Sequence, residues 1–128
     1  MTEAKFQIKF GQWVLAYWNK EVSARFELKL VDLKKKSTLN FKSCIPKHQI
    51  RALSADRHYF KIPDAGYQNP YDCYHIAGHG YLVVQFWRPR VDHFYMIDIH
   101  EILALIEEDE KSLNEETSNR IGIKCYFS

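Results

Sequence analysis

The sequence predicts a single α/β domain in which a central mixed β-sheet is flanked by helices. The main observation is the order of apolar patterns along the chain, which reads helix, strand, helix, four strands, helix and strand. A chain of 128 residues without a repeat, linker or low-complexity stretch is the size of one domain, over residues 1–128. Its 46% hydrophobic content is enough to form a buried core without disulfide bonds.

The first elements have clear local patterns. Residues 3–18 carry apolar side chains at helical spacing, which predicts an amphipathic helix. Residues 24–31 alternate between apolar and charged side chains, which predicts a strand with Phe26 on its core side. A basic loop over 32–38 follows, and a second helix that opens with proline is expected over about 46–55.

The second half of the chain is dominated by strands, which are predicted over about 58–62, 71–76, 80–87 and 94–97. The Ala77–Gly80 segment predicts that the second and third of these strands form a hairpin. Asp98 is the expected N-cap of a helix that runs to about Leu113, and residues 121–127 predict a closing strand.

Composition excludes several classes of protein. No run of about 18 apolar residues is present, so the sequence predicts no membrane span, and its first residues do not resemble a signal peptide. The odd set of cysteines, Cys44, Cys73 and Cys125, contains no Cys-x-x-Cys pair and favours a reduced, cytoplasmic protein.

The net charge of +2 is unevenly distributed, since residues 101–119 carry six Glu and one Asp against one Lys. This distribution, a basic domain with one acidic helix, is compatible with a phosphate-binding face on one side of the protein and a solvated acidic face on the other. It is equally compatible with ordinary mixed surface charge.

Glu27 and Lys29 are the first candidates for chemistry. They are two residues apart on the predicted strand over 24–31, so both side chains leave the same face. A carboxylate can hold Mg²⁺, which prefers oxygen ligands, and a lysine beside it can orient the attacking water and stabilise developing charge. The same pattern is also common as a charged pair on the wet face of a strand, so the triplet alone leaves both interpretations open.

A longer stretch carries a resemblance to a known family. The residues concerned are Phe26-Glu27-Leu28-Lys29, then Leu39-Asn40-Phe41, then Ile45-Pro46-Lys47-His48-Gln49, and finally Leu53. This order resembles the core of RecU-type Holliday junction resolvases in the PD-(D/E)xK nuclease superfamily, where a Phe-Glu-x-Lys strand leads into a helix bearing His-Gln. The clear match covers residues 24–54 and implies a restriction-endonuclease-like fold.

The resemblance also implies an activity, namely metal-dependent endonucleolytic cleavage of DNA with Mg²⁺ or Mn²⁺. It assigns Glu27 as a metal ligand, Lys29 as the catalytic lysine and Gln49 as a polar contact beside the metal or the scissile phosphate. It implies DNA, branched DNA included, as the partner, and a homodimer because a four-way junction offers two symmetric cuts. For Gln49 and His48 a solvated helix face is the alternative.

One residue of the family pattern is missing. The family has a metal-binding Asp on the strand before Phe-Glu-x-Lys, whereas residues 4–26 contain no Asp. One carboxylate binds Mg²⁺ poorly, so a second must come from elsewhere. Asp72, at the start of the predicted strand over 71–76, is the best candidate and completes the metal site with Glu27 if their strands are neighbours. Otherwise Asp72 is a turn residue and the protein is a catalytically inactive relative.

Other candidates carry weaker signals. Cys73, His75 and His79 suggest zinc, but a fourth ligand is missing and a core cysteine with surface histidines is favoured. Four aromatic residues are candidates for stacking on bases, with core packing as the alternative: Tyr67, Tyr71, Trp87 and Tyr95. Seven basic residues are the expected phosphate contacts, or else a solvated rim: Lys34, Lys35, Lys36, Lys42, Lys47, Arg88 and Arg90.

Two alternatives to a nuclease remain at this point. One is a catalytically inactive DNA-binding protein on the same fold, supported by the missing Asp. The other is a protein-interaction module, such as a phage accessory factor, whose aromatic surface binds a host protein. The salt dependence of DNA affinity separates this second alternative from both DNA-binding interpretations.

Overall fold

The computed structural model of this chain describes residues 1–18, 24–54, 57–61, 73–77 and 79–127, with the backbone alone over 57–61 and 73–77. The described helices are α1 (Glu3–Tyr17), α2 (Phe41–Cys44), α3 (Lys47–Ser54), α4 (Ile99–Glu107) and α5 (Glu115–Ile121). The described strands are β1 (Ala24–Asp32), β2 (Thr38–Asn40), β3 (Arg57–Lys61), β4 (Cys73–Ala77), β5 (His79–Trp87), β6 (His93–Asp98), β7 (Ser112–Asn114) and β8 (Ile123–Tyr126).

The main sheet contains strands in the order β1-β5-β6-β8. Strands β1 and β5 run parallel, with Glu27 opposite Leu82 and Lys29 opposite Val84, whereas β5 with β6 and β6 with β8 are antiparallel. Two antiparallel ribbons, β2 with β7 and β3 with β4, are the other described pairings. A parallel pair needs a crossover connection, and α3 lies in the connection from β1 to β5.

Helix α1 covers one face of the main sheet. Its Phe6 and Phe10 are buried in a cluster with Val83 of β5 and Phe94 of β6. Phe26 of β1 packs against the same cluster, so the side of β1 predicted to face a core does so.

Helices α3 and α4 cover the opposite face. Leu82, Val84 and Phe86 of β5 are buried there together with Leu53 of α3 and Ile102 of α4. Strand β5 is therefore buried on both faces, which is typical of strands that take part in parallel pairing.

The predicted fold class is confirmed, because the structure is a small α/β domain in which a mixed four-stranded sheet is flanked by helices. This arrangement is compatible with a restriction-endonuclease-like fold. Asp98 caps α4 as expected, since its Oδ1 accepts a hydrogen bond from the backbone N–H of His100 at 2.8 Å. In the described part of the chain, no helix is both long enough and apolar enough to cross a membrane.

Two expectations about the elements are wrong. Helix α4 ends at Glu107 instead of about Leu113, because Asp109 has a φ of 65°, a left-handed conformation that a helix cannot continue. Leu113 lies instead in β7, opposite Leu39 of β2. The hairpin predicted between the second and third strands is also wrong, because β4 pairs with β3 whereas β5 joins β1 and β6.

Gly80 lies where β5 passes closest to α3. A Cβ added to Gly80 would overlap the backbone oxygen of Leu53, so one of the two backbones would have to shift. We expect Gly80→Ala to lower the free energy of unfolding by about 1–3 kcal/mol, the usual effect of overpacking.

Gly11 in α1 provides the matched control, since no described atom outside its own helix lies within 4 Å of an added Cβ. We expect Gly11→Ala to raise the free energy of unfolding by roughly 0.5–1 kcal/mol through helix propensity. Urea unfolding of both variants measures the contrast, and equal stabilities would contradict the close packing of α3 on β5.

Candidate functional site

Glu27 and Lys29 lie side by side on β1. Their side chains leave the strand on the face that α3 and α4 cover, because Val31, two residues further along, belongs to the core on that face. Nζ of Lys29 is 3.6 Å from Oε1 of Glu27. The structure thus brings together the two residues that the spacing predicted as neighbours.

The surroundings of this pair are largely interior. The exposed fraction of the side chain is 16% for Lys29 and 30% for Glu27, and Val31 beside them is fully buried. Partial removal of charges from water is costly unless the charges are well paired. A separation of 3.6 Å exceeds the roughly 2.7–2.9 Å of a charge-assisted hydrogen bond, so the carboxylate keeps lone pairs that another ligand can use.

Gln49 lies on the inward face of α3. It is four residues before Leu53, which is buried, and residues four apart share a helix face. Its Oε1 is buried and has no hydrogen-bond partner in the described part of the chain. Leaving such an acceptor unsatisfied costs roughly 1–3 kcal/mol, so Oε1 of Gln49 is available to a ligand or a water molecule, as is the equally unsatisfied Oε1 of Gln85 in the core.

Helix α3 is held against the start of β1. Arg25 donates a hydrogen bond of 3.2 Å to the backbone oxygen of Leu53 in the last turn of the helix. Gln49 is about 6 Å along the helix from Leu53, and Glu27 is about 7 Å along β1 from Arg25.

The second metal ligand predicted from the sequence, Asp72, lies outside the described residues. Within the ranges that the structure describes, no group of three His, Cys, Asp or Glu side chains could hold a metal ion. The donors that this face presents are the Glu27 carboxylate and the Gln49 amide oxygen. Both are hard oxygen ligands of the kind that Mg²⁺ and Mn²⁺ prefer, and a second carboxylate would complete a usable set.

The seven basic residues predicted as phosphate contacts are all exposed, and five of them lie in the turns after β1 and β5, at one end of the main sheet. The turns after β1 and β5 meet there, because the backbone N–H of Leu33 donates to the oxygen of Trp87 at 2.8 Å. Helix α2 approaches this end through the contact between Lys36 and Cys44. Lys42 of α2 and Lys47 of α3 line a separate depression that also contains Asp109 and Glu110. We name the surface at the end of the sheet the basic rim, and it consists of Lys34, Lys35, Lys36, Arg88 and Arg90.

A cluster that the sequence did not predict joins β6 to α5. Oε2 of Glu115 lies 2.8 Å from Nε2 of His93 and accepts a hydrogen bond of 2.9 Å from the hydroxyl of Tyr95. Burial raises the pKa of Tyr95, and its bond to Glu115 raises that pKa further, so the hydroxyl keeps its proton. Burial opposes ionisation of Glu115, but its bonds to His93 and Tyr95 and the nearby Arg88 together hold the pKa of Glu115 below its usual value.

Only part of this cluster has a signal in the sequence. His93 and Tyr95 are two apart on a strand, which places them on one face. Their partner Glu115 is the first residue of α5, a short helix that the sequence patterns did not predict. The cluster fixes α5 to the sheet, and we assign it a structural role.

The other candidates from the sequence can be placed only where their side chains are described. Tyr95 is buried, so the core-packing alternative holds for it, whereas Trp87 is partly buried at the end of β5. His48 and His79 are exposed. The side chains that lie outside the described part of the structure are those of Tyr67, Tyr71, Cys73 and His75.

Comparisons with known proteins give no relative from which a role could be transferred. No family model matches this sequence, no curated protein matches it, and no solved structure matches the chain. The resemblance to RecU-type resolvases therefore stays a prediction that rests on the residues from Phe26 to Leu53.

The Glu115 cluster predicts a pH dependence of stability. Because the pKa of Glu115 is lowered in the folded state, the cluster stabilises the fold fully above the ordinary glutamate pKa of 4.5. This contribution is lost as the pH falls from 4.5 through the lower folded-state pKa. We therefore expect the stability difference between the wild type and Glu115→Gln to be largest near neutral pH and to shrink below pH 4.5.

Urea unfolding at a series of pH values between neutrality and the acid range measures this difference. Glu116→Gln, at the exposed neighbouring position, is the matched control and should follow the wild-type profile. A Glu115→Gln profile that runs parallel to the wild type at every pH would contradict the assigned contacts.

Proposed function

We propose that this protein is a metal-dependent endonuclease that hydrolyses phosphodiester bonds in DNA and resembles RecU-type resolvases of the PD-(D/E)xK superfamily. The observation that carries the proposal is the position of Glu27 and Lys29, a carboxylate and an ammonium group that are partly buried on the face of β1 that α3 and α4 cover. The unsatisfied amide oxygen of Gln49 on the facing side of α3 supports it.

A second acidic–x–lysine sequence in the same chain shows what an ordinary surface pair looks like. Asp109 and Lys111 have the same spacing, but their side chains are 85% and 77% exposed and they approach to 2.6 Å. Glu27 and Lys29 are much less exposed and yet less closely paired. The lower exposure of the Glu27–Lys29 pair distinguishes it from an ordinary surface pair and supports a functional role.

In the proposed mechanism, Glu27 and Asp72 would hold the metal ion, which would supply polarisation of the phosphate and a lower pKa for the attacking water. Lys29, fixed by the rigid strand, stabilises the negative charge that develops on the phosphate oxygens. The free acceptor of Gln49 suits the metal ion or a proton of the attacking water, because a phosphate oxygen would need a donor.

The basic rim supplies the expected affinity for DNA. Its five cations lie at the end of the sheet that β1 and β5 share, and Glu27 is five residues, about 17 Å, from the end of β1. By analogy with the resolvases we also propose a homodimer, which would place two sites on a branched substrate, and a cytoplasmic location.

Substitutions at the pair test the catalytic proposal. We expect Glu27→Gln and Lys29→Met each to lower the rate of DNA cleavage in Mg²⁺ by at least about 10²-fold, because each removes a group that acts in the transition state. Affinity for DNA, measured in EDTA, should stay within about threefold, since phosphate contacts of the basic rim supply most of it. The assay is cleavage of a labelled four-way junction and of a linear duplex.

Asp109→Asn and Lys111→Met are the matched controls, because they change the same chemical groups at the same spacing on an exposed turn. They should cleave like the wild type. If the wild type binds DNA but shows no cleavage that depends on Mg²⁺ or Mn²⁺, the protein is the catalytically inactive alternative.

A further prediction concerns the salt dependence of DNA binding by the basic rim. We expect Lys35→Ala with Lys36→Ala to reduce the slope of log affinity against log salt for duplex DNA by about 1–2, since each lost phosphate contact removes about 0.9. Arg120→Ala with Lys124→Ala removes the same charge from exposed positions outside the rim and should leave the slope unchanged. A wild-type slope near zero would favour the protein-interaction alternative.

A further inference from the structure

A shallow depression of about 390 Å³ lies between the first half of α1 and the end of β5. The residues that line it are Met1, Lys5, Ile8, Lys9 and Trp87. Its apolar part comprises a methionine, an isoleucine and an indole, and Ile8 is 63% exposed although it is a large aliphatic side chain. This surface is on the opposite face of the sheet from Glu27, because Trp87 is on the same side of β5 as Val83, which packs against α1.

Positive charge surrounds the depression. Lys5 and Lys9 are exposed on its α1 side. Nζ of Lys34 lies 5.9 Å from the centre of the Trp87 ring, and Arg88 is the next residue along the chain. No carboxylate is among the described residues that line it. The depression is therefore continuous with the basic rim and complementary to an anion with an aromatic or apolar part.

We propose that this depression binds an unpaired nucleotide of single-stranded DNA, with the base against Trp87 and the flanking phosphates near Lys5, Lys9 and Lys34. Aromatic side chains that hold bases by stacking, together with lysines that follow the backbone, are the general means by which proteins bind single strands without sequence preference. A base pair inside a duplex cannot supply this contact, because its faces are already stacked.

The inference deepens the proposed function, on which it rests for the link to cleavage. Trp87 is opposite Asp32 in the β1–β5 register, so it is level with the end of β1, about 17 Å along the strand from Glu27 and on the other face of the sheet. A DNA that occupies both sites must pass around the end of the sheet. The preferred substrate then carries an unpaired segment beside the cleaved strand.

The first experiment measures binding in EDTA, with fluorescently labelled oligo-dT and a blunt duplex of the same length as probes. We expect Trp87→Ala to weaken binding of oligo-dT by about 5- to 150-fold, the range found when a stacking aromatic is removed. Trp87→Phe should restore most of the affinity, and binding of the duplex should change by less than about threefold. Tyr17→Ala, which removes an exposed aromatic side chain at the far end of α1, should bind oligo-dT like the wild type.

A second pair of variants avoids any effect of Trp87 on folding. Ile8→Glu places a carboxylate in the depression, whereas Leu15→Glu makes the same change two turns away at a side chain that is 77% exposed. Both positions are exposed, so both variants should fold. We expect Ile8→Glu to weaken binding of oligo-dT by about tenfold or more relative to Leu15→Glu, because the new charge repels phosphate.

These experiments test the inference separately from the proposed function. Failure of the wild type to bind oligo-dT, equal affinities of Ile8→Glu and Leu15→Glu, or an equal loss of duplex binding would overturn the inference, whether or not the protein cleaves DNA. Binding that depends on Trp87 in a protein that lacks metal-dependent cleavage would support the inference and overturn the proposed catalytic activity.

Discussion

Burial of β5 on both faces is the constraint on which the rest of the structure depends. The side chains from Leu82 to Phe86 are all fully buried, so helices must cover the sheet on both sides. Gln85 is a polar residue within this run, and its Nε2 donates to the backbone oxygen of His93 at 3.3 Å. Because β1 pairs in parallel with β5, the register then fixes which β1 side chains face α3 and α4.

The position of β1 explains why charged side chains are tolerated on an interior face. Among the described strands β1 is at the edge of the sheet, and Arg25 bonds to the last turn of α3. Glu27 and Lys29 are therefore partly buried but still accessible to solvent. A site for phosphodiester chemistry needs both properties, because a lower local dielectric strengthens electrostatic stabilisation and the substrate must still enter.

Local patterns in the sequence predicted much of the fold and only half of the candidate site. Helix α1, strands β1 and β5 and the Asp98 cap each follow from side chains close together in the chain. The ribbon of β2 with β7 does not, because it joins residues such as Leu39 and Leu113 that are far apart in sequence. The sequence also predicted that α4 extends to Leu113, but the helix ends before Asp109, which has a left-handed backbone conformation. The spacing of apolar residues gives no information about that conformation.

The sequence could not predict the rest of the candidate site for a similar reason. Strand periodicity placed Glu27 and Lys29 on one face, but it could not show that this face is interior, since that depends on α3 and α4. The sequence likewise predicted Gln49, but the unsatisfied state of its Oε1 depends on tertiary packing. Asp72 stays a prediction because it lies outside the described residues.

The packing on the α1 side of the sheet explains how β1 stays fixed in the fold while it carries a site of this kind. Phe26 contacts the rings of Phe10 and Trp18 at centroid distances of 5.0 and 5.1 Å, and Phe10 in turn contacts Phe94 of β6 at 5.6 Å. These aromatic contacts anchor β1 to α1 and to the sheet through the face that carries Phe26. On the other face, Arg25 and Val31 hold the two ends of β1 against α3 and the core. Glu27 and Lys29, between them, occupy the part of that face that is available for chemistry.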